Sequence, residues 1–202
     1  MPLQNRVTPF GDIVATPEHG TMMGNRGILH DEHRRLGRRR WTNKAWICCL
    51  TEFRGRRRQV MAPGRYTELF FLDEAVALAA GHRPCFECRR EAAKAYSACW
   101  GGNPRASDMD RVLHGERLDG RRRRIHACDI AALPDGAFVS RDGAAWLVRG
   151  SALLRYTPAG YDSVVARPAG QAELLTPPST LRALSAGYAP LLHPTAEAPV
   201  AP

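Results

Sequence analysis

The sequence predicts an α+β fold: a basic region of hairpin and short helices, then a β-meander region. Three observations predict it. Helical stretches are short and lie mostly between residues 73 and 113. The turn signals Pro134-Asp135-Gly136, Arg141-Asp142-Gly143 and Arg149-Gly150 cut the chain after Leu133 into strand-length pieces. The 202 residues are 44% hydrophobic and 24% charged, enough apolar content to close a core and too much for wholesale disorder.

In chain order, residues 1–40 read as irregular, with Gly11, Gly20, Gly24, Gly27 and Gly37 as punctuation. Trp46 to Phe53 is rich in β-branched and aromatic residues and reads as a strand. Arg54-Gly55 then turns it into Arg56 to Met61 as a hairpin. Tyr66 to Leu72 is a further strand. Asp73-Glu74 open a short helix with negative charge at its N-terminus, and Gly81 ends it. A second helix runs from Cys88 to Trp100, with Ala92, Ala95, Tyr96 and Cys99 on one face; Ser107 or Asp108 caps a third. Ala137–Ser140, Ala144–Val148 and Ser151–Tyr156 form the meander, and Thr176-Pro177-Pro178-Ser179 opens a helix ended by Gly187. The expected organisation is a basic region over 1–130, a small β-rich region over 131–190 and a flexible tail over 191–202. Glu68-Leu69, Ala77-Leu78 and Ala80-Gly81 recur as Glu173-Leu174, Ala183-Leu184 and Ala186-Gly187, which is either a duplicated strand–helix–turn or coincidence in an alanine-rich chain.

No uninterrupted apolar stretch is longer than that from Ala75 to Ala80, far short of the roughly 20 residues a membrane span needs. The N-terminus lacks the regions of a signal peptide. No membrane partner and a cytoplasmic, reducing compartment are therefore expected, with six cysteines too few for a disulfide scaffold.

Charge is unevenly distributed. Residues 1–130 hold 24 Lys+Arg against 15 Asp+Glu, whereas 131–202 hold five of each, so the whole excess of +9 lies in the first two-thirds. Such asymmetry suggests a polyanionic partner. The basic residues are almost all arginine, whose rigid fork fits phosphate bidentately. DNA or RNA is the expected partner, with Arg38, Arg39, Arg40, Arg54, Arg56, Arg57, Arg58, Arg121, Arg122, Arg123 and Arg124 as the contacting residues. Trp41, Trp46 and Tyr66 stand among them, either as stacking platforms for bases or as core aromatics. Solvated loop arginines are the bland alternative.

Cys85-Phe86-Glu87-Cys88 carries the most specific chemistry. Two thiolates on a tight turn, stiffened by Pro84 and followed by a helix N-terminus, can share one zinc ion. The region is therefore expected to be a zinc knuckle. A closed zinc site needs four ligands, so two must come from elsewhere. Adjacent strand residues face opposite ways, so at most one of Cys48 and Cys49 can contribute, with Cys49 the choice; the fourth ligand is one of His30, His82, His114 and His126, with His30, beside Asp31, preferred. No H-E-x-x-H, G-x-S-x-G or phosphate-loop motif is present.

The stretch LDEAVALAAGHRPCFECRR, residues 72–90, resembles the second half of the zinc-binding domain of Ada-type DNA-repair proteins, and Phe70-Phe71 fits the strand that precedes it there. The chain as a whole resembles a bacterial protein family. The Ada-type resemblance implies a small α+β domain in which Cys85 and Cys88 bind zinc and arginines contact DNA phosphates. That family's earlier Cys-x-x-x-Cys has no counterpart in Arg56 to Leu72, so methyl-phosphotriester repair is not implied. The expected function is a zinc-binding protein that contacts nucleic acid. The alternatives are a metal- or thiol-dependent enzyme acting on nucleic acid and a structural zinc protein that binds another protein.

Overall fold

A computed structural model describes residues 1–56, 59–120 and 122–197. Arg57, Arg58 and Arg121 lie outside the described residues. The fold is α+β. Six short strands, β1 (Gln4–Val7), β2 (Ile13–Ala15), β3 (Met22–Asn25), β4 (Ile47–Leu50), β5 (Leu69–Phe71) and β6 (Arg83–Pro84), form one mixed sheet in the order β2-β1-β5-β3-β4-β6. The stretch 1–40 is thus not irregular: it supplies three strands. Each has only three or four residues, too few for alternation to stand out from the glycines around it.

The expected hairpin is corrected as well. No described residue of 56–61 belongs to a strand. β4 pairs antiparallel with β3, Gly24 opposite Cys48, and parallel with β6, Cys48 opposite Pro84. Gly24 permits this pairing. A Cβ there would lie 2.1 Å from the Ile47 carbonyl oxygen and 3.2 Å from His82 Nδ1, so any other residue would push β3 off β4.

Helix α1 (Glu74–Ala79) follows β5, with Asp73 as N-cap accepting from the Val76 N–H at 2.9 Å. All its residues are buried, and Gly81, at φ +87°, turns the chain out of it. Helix α2 (Arg90–Trp100) buries Ala93, Tyr96 and Ser97. The buried stripe is therefore rotated from the expected Ala92/Ala95/Cys99 face, although Tyr96 sits on both. Helix α3 (Ala106–Arg117) buries Met109 and Leu113 and leads into a two-stranded ladder of β7 (Leu118–Asp119) and β8 (Arg122–Arg123).

The second sheet contains the expected meander as β10 (Phe138–Arg141), β11 (Ala144–Arg149) and β12 (Ala152–Thr157). It also contains β9 (His126–Asp129), β13 (Gly160–Ala166) and β14 (Gln171–Leu174), in the order β13-β12-β11-β10-β14-β9. Helix α4 (Pro178–Ser185) closes the chain after β14. Both halves of the suspected repeat are strand–helix–glycine turns. Gly81 and Gly187 donate to Leu78 and Leu184 at 2.9 and 3.0 Å, and His82 and Tyr188 to Ala77 and Ala183 at the same distances. The likeness stops there: β5 has one parallel and one antiparallel neighbour, β14 two antiparallel ones.

One of two buried clusters runs through both sheets. Val7, Met22, Cys48, Phe71 and Val76 share a buried cluster with Phe138, Leu147, Leu154 and Tyr161. The segment expected to be a loose tail is tied down as far as Glu197. Leu191 N–H donates to Glu74 at 2.9 Å and His193 N–H to Asp73 at 3.0 Å, and Thr195 Oγ1 accepts from the Tyr161 N–H. These buried carboxylates need donors, and the C-terminal segment supplies them.

Candidate metal centre and arginine cleft

Strand β4 carries a candidate site at each end. Its alternation sends Cys48 into the core and Cys49 to the opposite face. The parallel ladder to β6 then brings the knuckle alongside, because the Cys85 N–H donates to the Cys48 carbonyl at 2.9 Å. The turn closes with Glu87 N–H on Cys85 Sγ at 3.4 Å and Arg89 N–H on the Cys85 carbonyl at 3.0 Å. As a result the Sγ atoms of Cys49, Cys85 and Cys88 lie within 4.8 Å of one another, a group that can hold a metal ion.

The cluster's electrostatics favour one thiolate at a time. A hydrogen bond from the Cys49 thiol, helped by the N–H groups of Cys88 and Glu87, lowers Cys85 to about 5. Cys49 is held far above the ordinary thiol value by its hydrogen bond to Cys85 and by burial, and Cys88 is raised by burial and by the charge of Cys85. Three thiolates at this spacing need a cation between them.

His30 does not join the cluster. Its Nδ1 bonds Thr67 Oγ1 at 2.6 Å and its Nε2 bonds the Ala62 carbonyl at 3.2 Å, so both ring nitrogens serve to staple the loop after β3. Among the described residues, the metal-ligating group consists of the three cysteines. They line a cavity of about 340 Å³ with Glu68, Tyr66 and Phe70. Glu68 is buried and accepts the Met61 N–H at 2.7 Å.

At the other end, Trp46 precedes β4 and enters a cleft of about 740 Å³. Among the described residues, seven arginines line this cleft, against the two acids Asp12 and Glu116. Five were singled out from the sequence: Arg38, Arg39 and Arg40 on the exposed 38–40 segment, Arg123, and Arg124. Arg123 is partly neutralised by Glu173 at 2.5 Å. Among the described residues, the other expected contacts do not line the cleft. Arg56 lines the cavity beside the cysteines and pairs with Glu87 at 2.8 Å, Arg54 lies over the Phe53 ring at 4.9 Å, and Arg122 is exposed in β8.

Sequence reasoning missed the floor of the cleft, Arg26 and Arg117, because neither belongs to a basic run. Arg26 had a signal: Met22, Gly24 and Arg26 are alternate residues and all are buried. Arg117 had none, since only the fold of the chain end of α3 against Gly81 and Lys44 brings it inward. Burial lowers both guanidiniums to about 9; Asp12 partly opposes this for Arg26, and Arg26 itself reinforces it for Arg117. Burial also lowers His114 to about 4, with Arg117 and Lys44 adding to the effect, and holds His82 well below its usual value.

No family model, curated protein or solved structure matches this chain. No helix among the described residues is long and apolar enough to cross a membrane.

Proposed function

We propose that this chain is a zinc-centred nucleic-acid-binding protein, in which Cys49, Cys85 and Cys88 hold the ion and the arginine cleft engages phosphates. The observation that carries the nucleic-acid part is the convergence of Arg38–Arg40, Arg123 and Arg124, distant in sequence, on one cleft almost without acids. The metal part rests on the three clustered sulfurs. Thiolates select zinc among the common divalent ions. The resemblance of residues 72–90 to the Ada-type domain agrees with Cys85 and Cys88 as ligands. The two sites share a scaffold: an ion that clamps Cys49 to Cys85 fixes β4 against β6, and these flank Trp46 and His82 on the cleft side.

Affinity for labelled DNA and RNA, measured between about 50 and 200 mM salt, tests this reading. Release of counterions from several neutralised phosphates gives a steep, linear fall of log affinity with log salt. Absent or salt-insensitive binding contradicts it.

A metal-dependent enzyme is the second reading, favoured by one observation: three protein ligands leave a position open toward a cavity that contains Glu68. Cobalt-substituted protein distinguishes the two. An open position changes the visible spectrum on addition of azide, and a position closed to solvent does not.

A further inference from the structure

Arg26 and Arg117 are buried and pair directly with no carboxylate among the described residues; only the more distant charges of Asp12 and Asp110 act on Arg26 and Arg117 respectively. Only 2% of Arg26 and 7% of Arg117 is exposed. Both guanidiniums lie against the Trp46 indole, 4.0 and 3.6 Å from its centroid. Arg26 donates from Nε to His82 Nε2 at 3.0 Å and from Nη1 to the Gly11 carbonyl at 2.9 Å. Its buried Nη2 has no partner among the described residues. Arg117 donates to the Gly81 and Lys44 carbonyls at 2.6 and 2.9 Å and to His114 Nδ1 at 3.2 Å, leaving its buried Nε unpartnered. Every one of these acceptors is uncharged. His82 bonds the Ile47 carbonyl through Nδ1, which places its proton there and leaves Nε2 as a neutral acceptor.

The rest of the fold treats buried arginine differently. Arg83 meets Asp110 at 2.8 Å and Arg89 meets Glu74 at 2.6 Å, both as carboxylate pairs. Two adjacent buried cations whose hydrogen-bond partners are carbonyls and neutral imidazoles, and with N–H groups unspent, are costly unless an anion completes them. They are also the pair that lines the cleft.

We propose that the cleft receives single-stranded nucleic acid, one backbone phosphate seating on Arg26 and Arg117 and its neighbours on Arg38–Arg40 and Arg124. This deepens the nucleic-acid reading and rests on it. A cavity of about 740 Å³ is far larger than one phosphate and suits a nucleotide unit with its base. Half-buried Trp41 stands in the wall, packed edge-on against His114 at 4.6 Å, and offers a π-face for that base. The exposed rim arginines extend the positive track along a strand. A floor so little exposed admits a narrow, flexible chain and not the rigid cylinder of a duplex.

Fluorescence anisotropy with a labelled 12-nucleotide single strand and its duplex tests the proposal on the full chain, with AMP and inorganic phosphate as competitors. Wild type is expected to prefer the single strand at least tenfold, and Arg26→Gln to lose at least tenfold in affinity while melting as a folded protein. If Arg26→Gln does not fold, two safer variants decide. The exposed double variant Arg39→Gln/Arg124→Gln should lower the salt slope by about 1.4, at about 0.7 per phosphate contact on a single strand. Trp41→Phe should lose most of the tryptophan quenching that the strand causes in wild type. Equal or tighter duplex binding overturns the inference, as do unchanged affinity in folded Arg26→Gln, an unchanged salt slope in the double variant, and undiminished quenching in Trp41→Phe. Those results leave the broader reading standing if salt-dependent binding persists. Tight AMP or phosphate binding with no strand binding overturns both.

Discussion

Glu74 shows how this molecule handles a charge that it does intend to bury. Its carboxylate is fully enclosed, takes both Arg89 Nη atoms at 2.6 and 2.7 Å, and accepts Tyr188 Oη–H at 2.5 Å and the Leu191 N–H at 2.9 Å. Replacing one partner of a buried pair leaves the other uncompensated, so Glu74→Gln should cost about 3–5 kcal/mol in urea denaturation. His114 gives a second residue-level prediction, in pH. Its pKa is depressed to about 4 in the folded protein. Its contribution to stability is therefore complete above the unfolded value of about 6.5 and is lost as pH falls toward 4. The melting temperature should drop over that window, and His114→Gln should flatten the drop by removing one titrating group. An identical pH profile in the variant would place the acid sensitivity elsewhere. Neither residue announced itself in the sequence, because Glu74 reads as a helix-opening acid and His114 as one histidine of seven.

Among the elements, β4 links the two sites, and its glycine neighbour controls it. Gly24→Ala should displace the Ile47 carbonyl, which its Cβ would meet at 2.1 Å. We expect a loss of a few kcal/mol in stability, the range of core overpacking, together with weakened metal retention. The alternation that separates Cys48 from Cys49 was legible, as were the helix start at Asp73-Glu74, the Gly81 turn and the C-terminal meander, because each depends on near neighbours in sequence. The partner of β4 was not legible. Arg54-Gly55 offered a plausible local hairpin, but the strand instead pairs with residues more than twenty positions before it and more than thirty after it, a choice made by tertiary packing. His30 failed as a ligand for a related reason. Thr67 and Ala62 reach both its nitrogens only once the chain has folded.

At the scale of the whole molecule, two buried clusters, each drawing residues from both sides of residue 130, and the docking of residues 191–197 join what the composition divides there. Deleting 191–202 should remove donors from Asp73 and Glu74 and lower the melting temperature by several degrees or more; a deletion that melts like wild type would make the segment dispensable. In the proposed function, one ion on three cysteines locks the scaffold from which the cleft is built. Metal content of purified wild type beside Cys85→Ser tests it most directly. One zinc per chain in wild type and none in the variant is the expected result; a wild-type protein that carries no metal and takes none up from a zinc-replete buffer would contradict it.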